Sequence, residues 1–193
     1  MNKTILLATH NHNKVKEFQE ILQPYGYDVL SLKDIGYNKE IKEEHTTYKD
    51  NAIAKVEALE HVYDGIIIGD DSGFEIAALN FQPGVYSARF MPEYSIKERN
   101  QAIVEKLKNE DDRSCAFVCS IACLKDDKLW VTINRSFGTV AKEVEGTNGF
   151  GYDPIFIPLG YDKPFSLLDR SIKNKISHRA LAIEALVQYL ENS

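Results

Sequence analysis

Two adjacent acids, Asp70 and Asp71, follow directly on Ile66, Ile67, Ile68 and Gly69. A continuous β-branched run reads as a short buried strand, and the glycine reads as its end, so the strand would aim both carboxylates at its own C-terminal edge. In open α/β sheets that edge is where ligands bind, and carboxylates there suit a hard cation such as Mg2+. Taken alone, such a pair also fits solvated acids at a strand-to-loop transition. Glu43 and Glu44 stand just ahead of a helix start, placed to turn back toward Asp70 and Asp71 as further cation ligands.

A second cluster comprises Thr9, His10, Asn11, His12, Asn13 and Lys14, between an apolar run and an amphipathic segment. A strand, a polar turn and a helix N-terminus make an anion site, because backbone N–H groups and the helix dipole converge there and Lys14 adds a point charge. No Walker A pattern, GxxxxGK[ST], occurs. His10 and His12 read as surface or substrate-contact residues rather than as a metal pair. Further on, GTNGFGYD at 146–153 contains Phe150, Gly151, Tyr152 and Asp153. Its glycines permit close backbone approach to a ligand, and an exposed Phe offers a stacking face. Lys173, Lys175, His178 and Arg179 gather at the start of the last helix, where basic groups oppose the dipole and a bound anion would offset that cost.

The elements that must position these groups are legible from periodicity. Residues 4–9 read as a first buried strand, followed by a helix carrying Val15, Phe18 and Ile21 or Leu22, capped by Asn11 or Asn13. A short strand is expected around 28–30. Thr47 opens a helix through a T-x-x-D capping pattern, with Tyr48, Ala52, Val56, Leu59 and Tyr63 on one face. Ser95 and Glu98 form another capping box for a helix with Ile96, Ile103 and Leu107. Two long strands, 114–125 and 129–140, join at Asp126 and Asp127 as a hairpin, and 154–158 reads as a further strand. Ser177 caps a last helix reaching Leu190. Alternating strands and helices around a hairpin fit an α/β fold with a mixed sheet.

With 193 residues and 44% hydrophobic content, the chain can bury one sizeable core, and a single domain over residues 1–193 is expected. No apolar run approaches the ~20 residues that span a bilayer, and the N-terminal apolar segment is too short for a secretory signal. A cytoplasmic protein without a membrane partner is the expectation. The net charge of −6 argues against non-specific nucleic-acid binding, which rests on basic surface. Cys115, Cys119 and Cys123 are an odd number, spaced to share one face of a strand with Phe117 and Ile121, and read as buried core thiols.

Five motifs in order, THNHNK at 9–14 with Glu17 and Phe18, DDSG at 70–73, PGVYSAR at 83–89, GFGYDPIF at 149–156 and SHR at 177–179, resemble the Ham1-like inosine triphosphate pyrophosphatases over nearly the whole chain. The resemblance implies an α/β fold: an elongated mixed β-sheet with flanking helices and two lobes around a central substrate cleft. It implies Mg2+-dependent hydrolysis of the non-standard purine triphosphates ITP, dITP and XTP to the monophosphate and pyrophosphate, usually by a homodimer. On the matching positions, Thr9, His10, Asn11, His12, Asn13 and Lys14 would hold the triphosphate and Ser72 would support it. Glu43 and Asp71 would ligate the metal, with Asp71 also accepting the proton. Phe150, Gly151, Tyr152, Asp153, Lys173, His178 and Arg179 would form the nucleoside pocket. The chain departs from the family at His10 and His45, where Gly is usual, and at Leu167, where Glu is common. Two rivals stand beside this reading: a house-cleaning pyrophosphatase for pyrimidine or modified nucleotides, and a nucleotide sensor without turnover.

Overall fold

The structure is a computed structural model that describes residues 3–192. In chain order the elements are β1 (Lys3–Leu7), α1 (His12–Leu22), β2 (Tyr27–Ser31), α2 (Tyr48–Glu57), β3 (Ile66–Ile76), β4 (Pro83–Gly84), α3 (Ile96–Lys106), β5 (Ser114–Lys125), β6 (Lys128–Val140), β7 (Phe156–Pro158), α4 (Arg170–Ile176) and α5 (His178–Asn192). The strands form one seven-stranded sheet, ordered β2-β1-β3-β5-β6-β7, with β4 paired to β3. β1 runs parallel to β2 and β3, whereas β3–β4 and β6–β7 are antiparallel. The fold is therefore the mixed α/β class expected. No helix among the described residues is long and apolar enough to cross a membrane.

The expected caps are formed. Asn11, not Asn13, caps α1, its Oδ1 accepting from the N–H of Asn13 at 3.0 Å and of Lys14 at 3.3 Å. Thr47 caps α2, and Ser95 with Glu98 makes a complete capping box on α3. Asp126 and Asp127 connect β5 to β6 with positive φ at both positions, the geometry a two-residue hairpin turn demands.

Two expectations need correction. β3 does not end at Gly69 but continues to Ile76, so Asp70 and Asp71 lie inside a strand rather than at its edge. Buried charges are tolerated there because each finds polar partners, described below. Likewise Lys173 and Lys175 do not precede the last helix in a loop. They occupy the last turn of α4, a separate helix capped by Asp169, where positive charge complements the dipole instead of opposing it.

The chain divides into two compact units, one of residues 3–71, 119–134 and 179–192, the other of residues 72–118 and 135–178. In the first, strand alternation sends Ile5, Leu7 and Ile68 into a core with Phe18 of α1, Cys119 of β5 and Ile183 of α5. The intervening Leu6 and Ile67 pack with Ala52 and Val56 of α2. α2 lies close because residue 69 is glycine: a Cβ there would stand 2.1 Å from the Ala52 carbonyl oxygen. In the second unit Phe74, Phe117, Tyr152, Phe156 and Phe165 form an aromatic core with Ile103 of α3 and its C-cap Leu107. The three cysteines are buried and free, as core thiols should be.

Candidate active site

Alternation along β3 decides where each acid goes. Asp70 shares the face of Ile68, turned toward α1 and α5, and Asp71 shares the face of Ile67 and Gly69, turned toward α2. Asp70 is wholly buried and gathers several donors. Its Oδ1 is paired with the Lys14 ammonium. Its Oδ2 accepts from the Cys119 thiol at 3.0 Å and from Arg179 Nε at 3.3 Å, and its main-chain carbonyl accepts from Lys55 Nζ at 2.6 Å. Arg179, also buried, donates from Nη1 to Glu17 Oε2 at 2.5 Å. Burial alone would push the Asp70 carboxyl up, but Lys14, Arg179 and Lys55 together outweigh it and hold the group far below the usual carboxylate range. Asp70 is thus held ionised by its partners, an anchor for Lys14 and Arg179.

Asp71 is nearly as buried but far less compensated. Asn51 Nδ2 donates to its Oδ2 at 3.0 Å, and Lys55 Nζ stands 3.7 Å from its Oδ1. Burial, opposed by Lys55 and Lys14 and reinforced by the like charge of Glu43, raises its pKa above the ordinary value. The same Lys55 ammonium lies 2.5 Å from Glu43 Oε1. Asp71 and Glu43 are therefore two hard oxygen donors already facing one positive charge. That set fits Mg2+, which is commonly held by one or two carboxylates, water and substrate phosphates. Glu44 does not join them; it pairs with Lys42 at the surface, 3.3 Å away. Among the described residues no group of three or more His, Cys, Asp or Glu is placed to hold a metal.

The first loop presents its polar groups to solvent. His10, Asn11, His12 and Asn13 are exposed, Thr9 is half-buried, and Thr9 Oγ1 accepts from the Asn11 N–H at 3.1 Å. The side chain of His10 reaches across to the Lys39 carbonyl oxygen, with Nε2 3.0 Å from it. His45 contributes its backbone N–H, which donates to Asn51 Oδ1 at 3.0 Å. Lys14 alone of this group turns inward, to Asp70. Burial lowers its pKa but the Asp70 carboxylate more than reverses this, so the ammonium stays charged.

In the second unit, residues 149–153 are fixed by their own polar atoms. Gly149 has φ +80°, and a Cβ there would fall 2.1 Å from Asp153 Oδ2, so only glycine lets the loop fold back on that carboxylate. Asp153 Oδ2 accepts from the Phe150 N–H at 2.8 Å and pairs with Lys173 Nζ at 2.5 Å. That ammonium also lies 4.8 Å from the Phe150 ring centroid. Tyr152 donates its hydroxyl to the Ser87 carbonyl at 2.8 Å, and His178 stacks on Phe117 with centroids 4.7 Å apart. Ser72, half-buried, opens this unit directly after Asp71.

The expected site residues thus fall into two groups. Thr9, His10, Asn11, His12, Asn13, Lys14, Glu43, Asp71 and Arg179 belong to the first unit, and Ser72, Phe150, Gly151, Tyr152, Asp153, Lys173 and His178 to the second. Within the first unit Arg179 pairs with Glu17 and Asp70. Sequence reasoning missed Asn51 and Lys55. Both are polar, four residues apart on α2 and buried, and their spacing on the face bordering Ala52 and Val56 was the available signal.

A family model described as the Ham1 family matches residues 5–189. The chain belongs to the Ham1 family. Among Ham1 relatives, a dITP/XTP pyrophosphatase of Bacillus subtilis (strain 168) is 43% identical over 196 residues, covering 98% of each chain. One of Clostridium tetani is 38% identical over 199 residues, covering 98% of this chain and 99% of the relative. The solved structure of the Staphylococcus aureus Ham1 protein superposes with a TM-score of 0.85 at 36% identity, covering 98% of this chain and 99% of that one. A HAM1 protein from Coxiella burnetii gives 0.88 at 34% identity over the full length of both.

Proposed function

We propose that this chain hydrolyses dITP, ITP and XTP to the nucleoside monophosphate and pyrophosphate. The observation that carries the reading is the splitting of one adjacent acid pair into Asp70, held ionised among cations, and Asp71, a carboxylate whose pKa is raised, beside Glu43 and Lys55. Environments that drive two carboxylates apart in pKa assign them different chemical roles. Its membership in the Ham1 family and the names of its relatives support the substrate class.

In this reading Lys14, held by Asp70, binds the triphosphate together with the polar atoms of Thr9, His10, Asn11, His12 and Asn13, with Ser72 supporting it. Asp71 orients a water and accepts its proton as the water oxygen bonds to phosphorus and the α–β anhydride breaks, releasing pyrophosphate. Mg2+ held by Asp71 and Glu43 would supply positive charge to the phosphate oxygens. Phe150, Gly151, Tyr152, Asp153, Lys173 and His178 receive the nucleoside. Arg179 acts through Asp70 and Glu17, fixing the anchor that Lys14 depends on. The resemblance further supports a homodimer acting in the cytoplasm, testable by light scattering of the purified protein and by cell fractionation.

Product analysis tests the reaction. Incubation with dITP and Mg2+ is expected to give dIMP and pyrophosphate in equal amounts; dIDP with orthophosphate would contradict the assignment.

A further inference from the structure

Ile103 of α3 and Leu107, its C-cap, are buried in the second unit's core, and one turn before Ile103 the same face carries Asn100, only 1% exposed. The side-chain amide donates from Nδ2 to the Gly151 carbonyl at 3.1 Å. A carbonyl can only accept, so this contact fixes which end of the amide faces the loop. The other end, Oδ1, has no hydrogen-bond partner among the described residues. A leucine is close to asparagine in shape and would complete the apolar face without the unpartnered Oδ1, at the loss of the donor to the Gly151 carbonyl, so packing alone does not account for an asparagine here. What Asn100 adds, and leucine lacks, is a donor to the one peptide between Phe150 and Tyr152. Gly151 has φ +62° and nothing within 4 Å of where a Cβ would stand, so no side-chain packing of its own pins that peptide. Its neighbours are pinned on either side, Phe150 through Asp153 and Tyr152 through Ser87.

We infer that Asn100 is a positioning residue for nucleotide recognition: its amide holds the Gly151 carbonyl so that residues 149–153 keep the shape that receives the nucleoside of a purine nucleotide. The inference rests on the reading of this loop as part of the nucleoside site.

The test uses the full-length protein and its Asn100→Leu and Asn100→Asp variants, with dIMP and pyrophosphate binding measured separately by calorimetry alongside thermal melting. Asn100→Leu is expected to melt near the wild-type temperature, since the unpartnered Oδ1 and the hydrogen bond to Gly151 are lost together, to bind dIMP up to about 10-fold more weakly, as for one lost hydrogen bond, and to bind pyrophosphate as wild type does. Asn100→Asp, the same shape without the donor, is expected to lose dIMP affinity at least as much, and in both variants KM for dITP rises more than kcat falls. Wild-type dIMP affinity in both variants would overturn the inference and leave the loop reading intact. A parallel loss of dIMP and pyrophosphate binding would show a merely structural role and overturn it as well. Wild-type protein that binds pyrophosphate but no dIMP would overturn the loop reading, and this inference with it.

Discussion

Asp70 and Asp71 are consecutive residues on β3, yet their carboxylates lie on opposite faces and are shifted in opposite directions from the ordinary aspartate pKa. Asp70 is paired with Lys14 and Arg179, while Asp71 has Asn51 at 3.0 Å and Lys55 at 3.7 Å, with Glu43 repelling it. Strand alternation places the two side chains on opposite faces, because a one-residue step turns a side chain over, and the groups packed on each face set the shifts.

The two acids should therefore titrate on opposite sides of the ordinary aspartate value of ~3.9. In carboxyl-detected NMR of the metal-free protein, Asp71 is expected to titrate above that value and Asp70 to remain ionised far below it. The signs for stability follow. The depressed Asp70 contributes stability that is present above the unfolded value and lost as pH falls through its folded value. The raised Asp71 does the reverse, reducing stability as pH rises from the unfolded value through its folded one. Lys55→Met removes the leading cation opposing the upward shift, so Asp71 should titrate higher still. Coincident titration of the two acids would refute the division.

Arg179 is buried between Glu17 and Asp70, so Arg179→Ala leaves two buried carboxylates short of a partner. Breaking a buried pair in this way costs about 3–5 kcal/mol. Denaturant unfolding should show that loss, and activity should fall by a similar factor on dITP and on ATP. Unchanged stability with a loss confined to hypoxanthine substrates would instead put the guanidinium on the base.

Gly69→Ala tests how α2 is placed. The new methyl would meet the Ala52 carbonyl, 2.1 Å from the ideal Cβ, and must push α2 away, carrying Asn51 and Lys55 from Asp71. Overpacking of this kind costs about 1–3 kcal/mol, or a melting point lower by about 2–12 °C for a chain of this size. A variant that melts and turns over like wild type would show that the close approach is not needed.

Much of this was legible in the residue order. Helix starts at Asn11, Thr47 and Ser95 could be read because capping is local chemistry, as could the Asp126–Asp127 turn. The end of β3 could not. Asp70 and Asp71 look like a strand terminus until Lys14, 56 residues away in sequence, and Arg179, 109 residues away, are seen to neutralise Asp70. For the same reason Arg179 read as a ligand-facing group: the sequence shows a basic residue after Ser177 and His178 but not the buried acids awaiting it. Asn51, Lys55 and Asn100 are polar residues on otherwise apolar helix faces, and periodicity registers only the hydrophobic members of such a face.

Asp71→Asn is the most direct test of the account. It keeps the shape and the Asn51 neighbour while removing the proton acceptor and one metal-ligating charge. Steady-state turnover of dITP at saturating Mg2+ should give a kcat lower by at least ~100-fold, the low end for loss of a general base, with pyrophosphate binding largely retained. Turnover near the wild-type rate would contradict the assignment of Asp71 as the base.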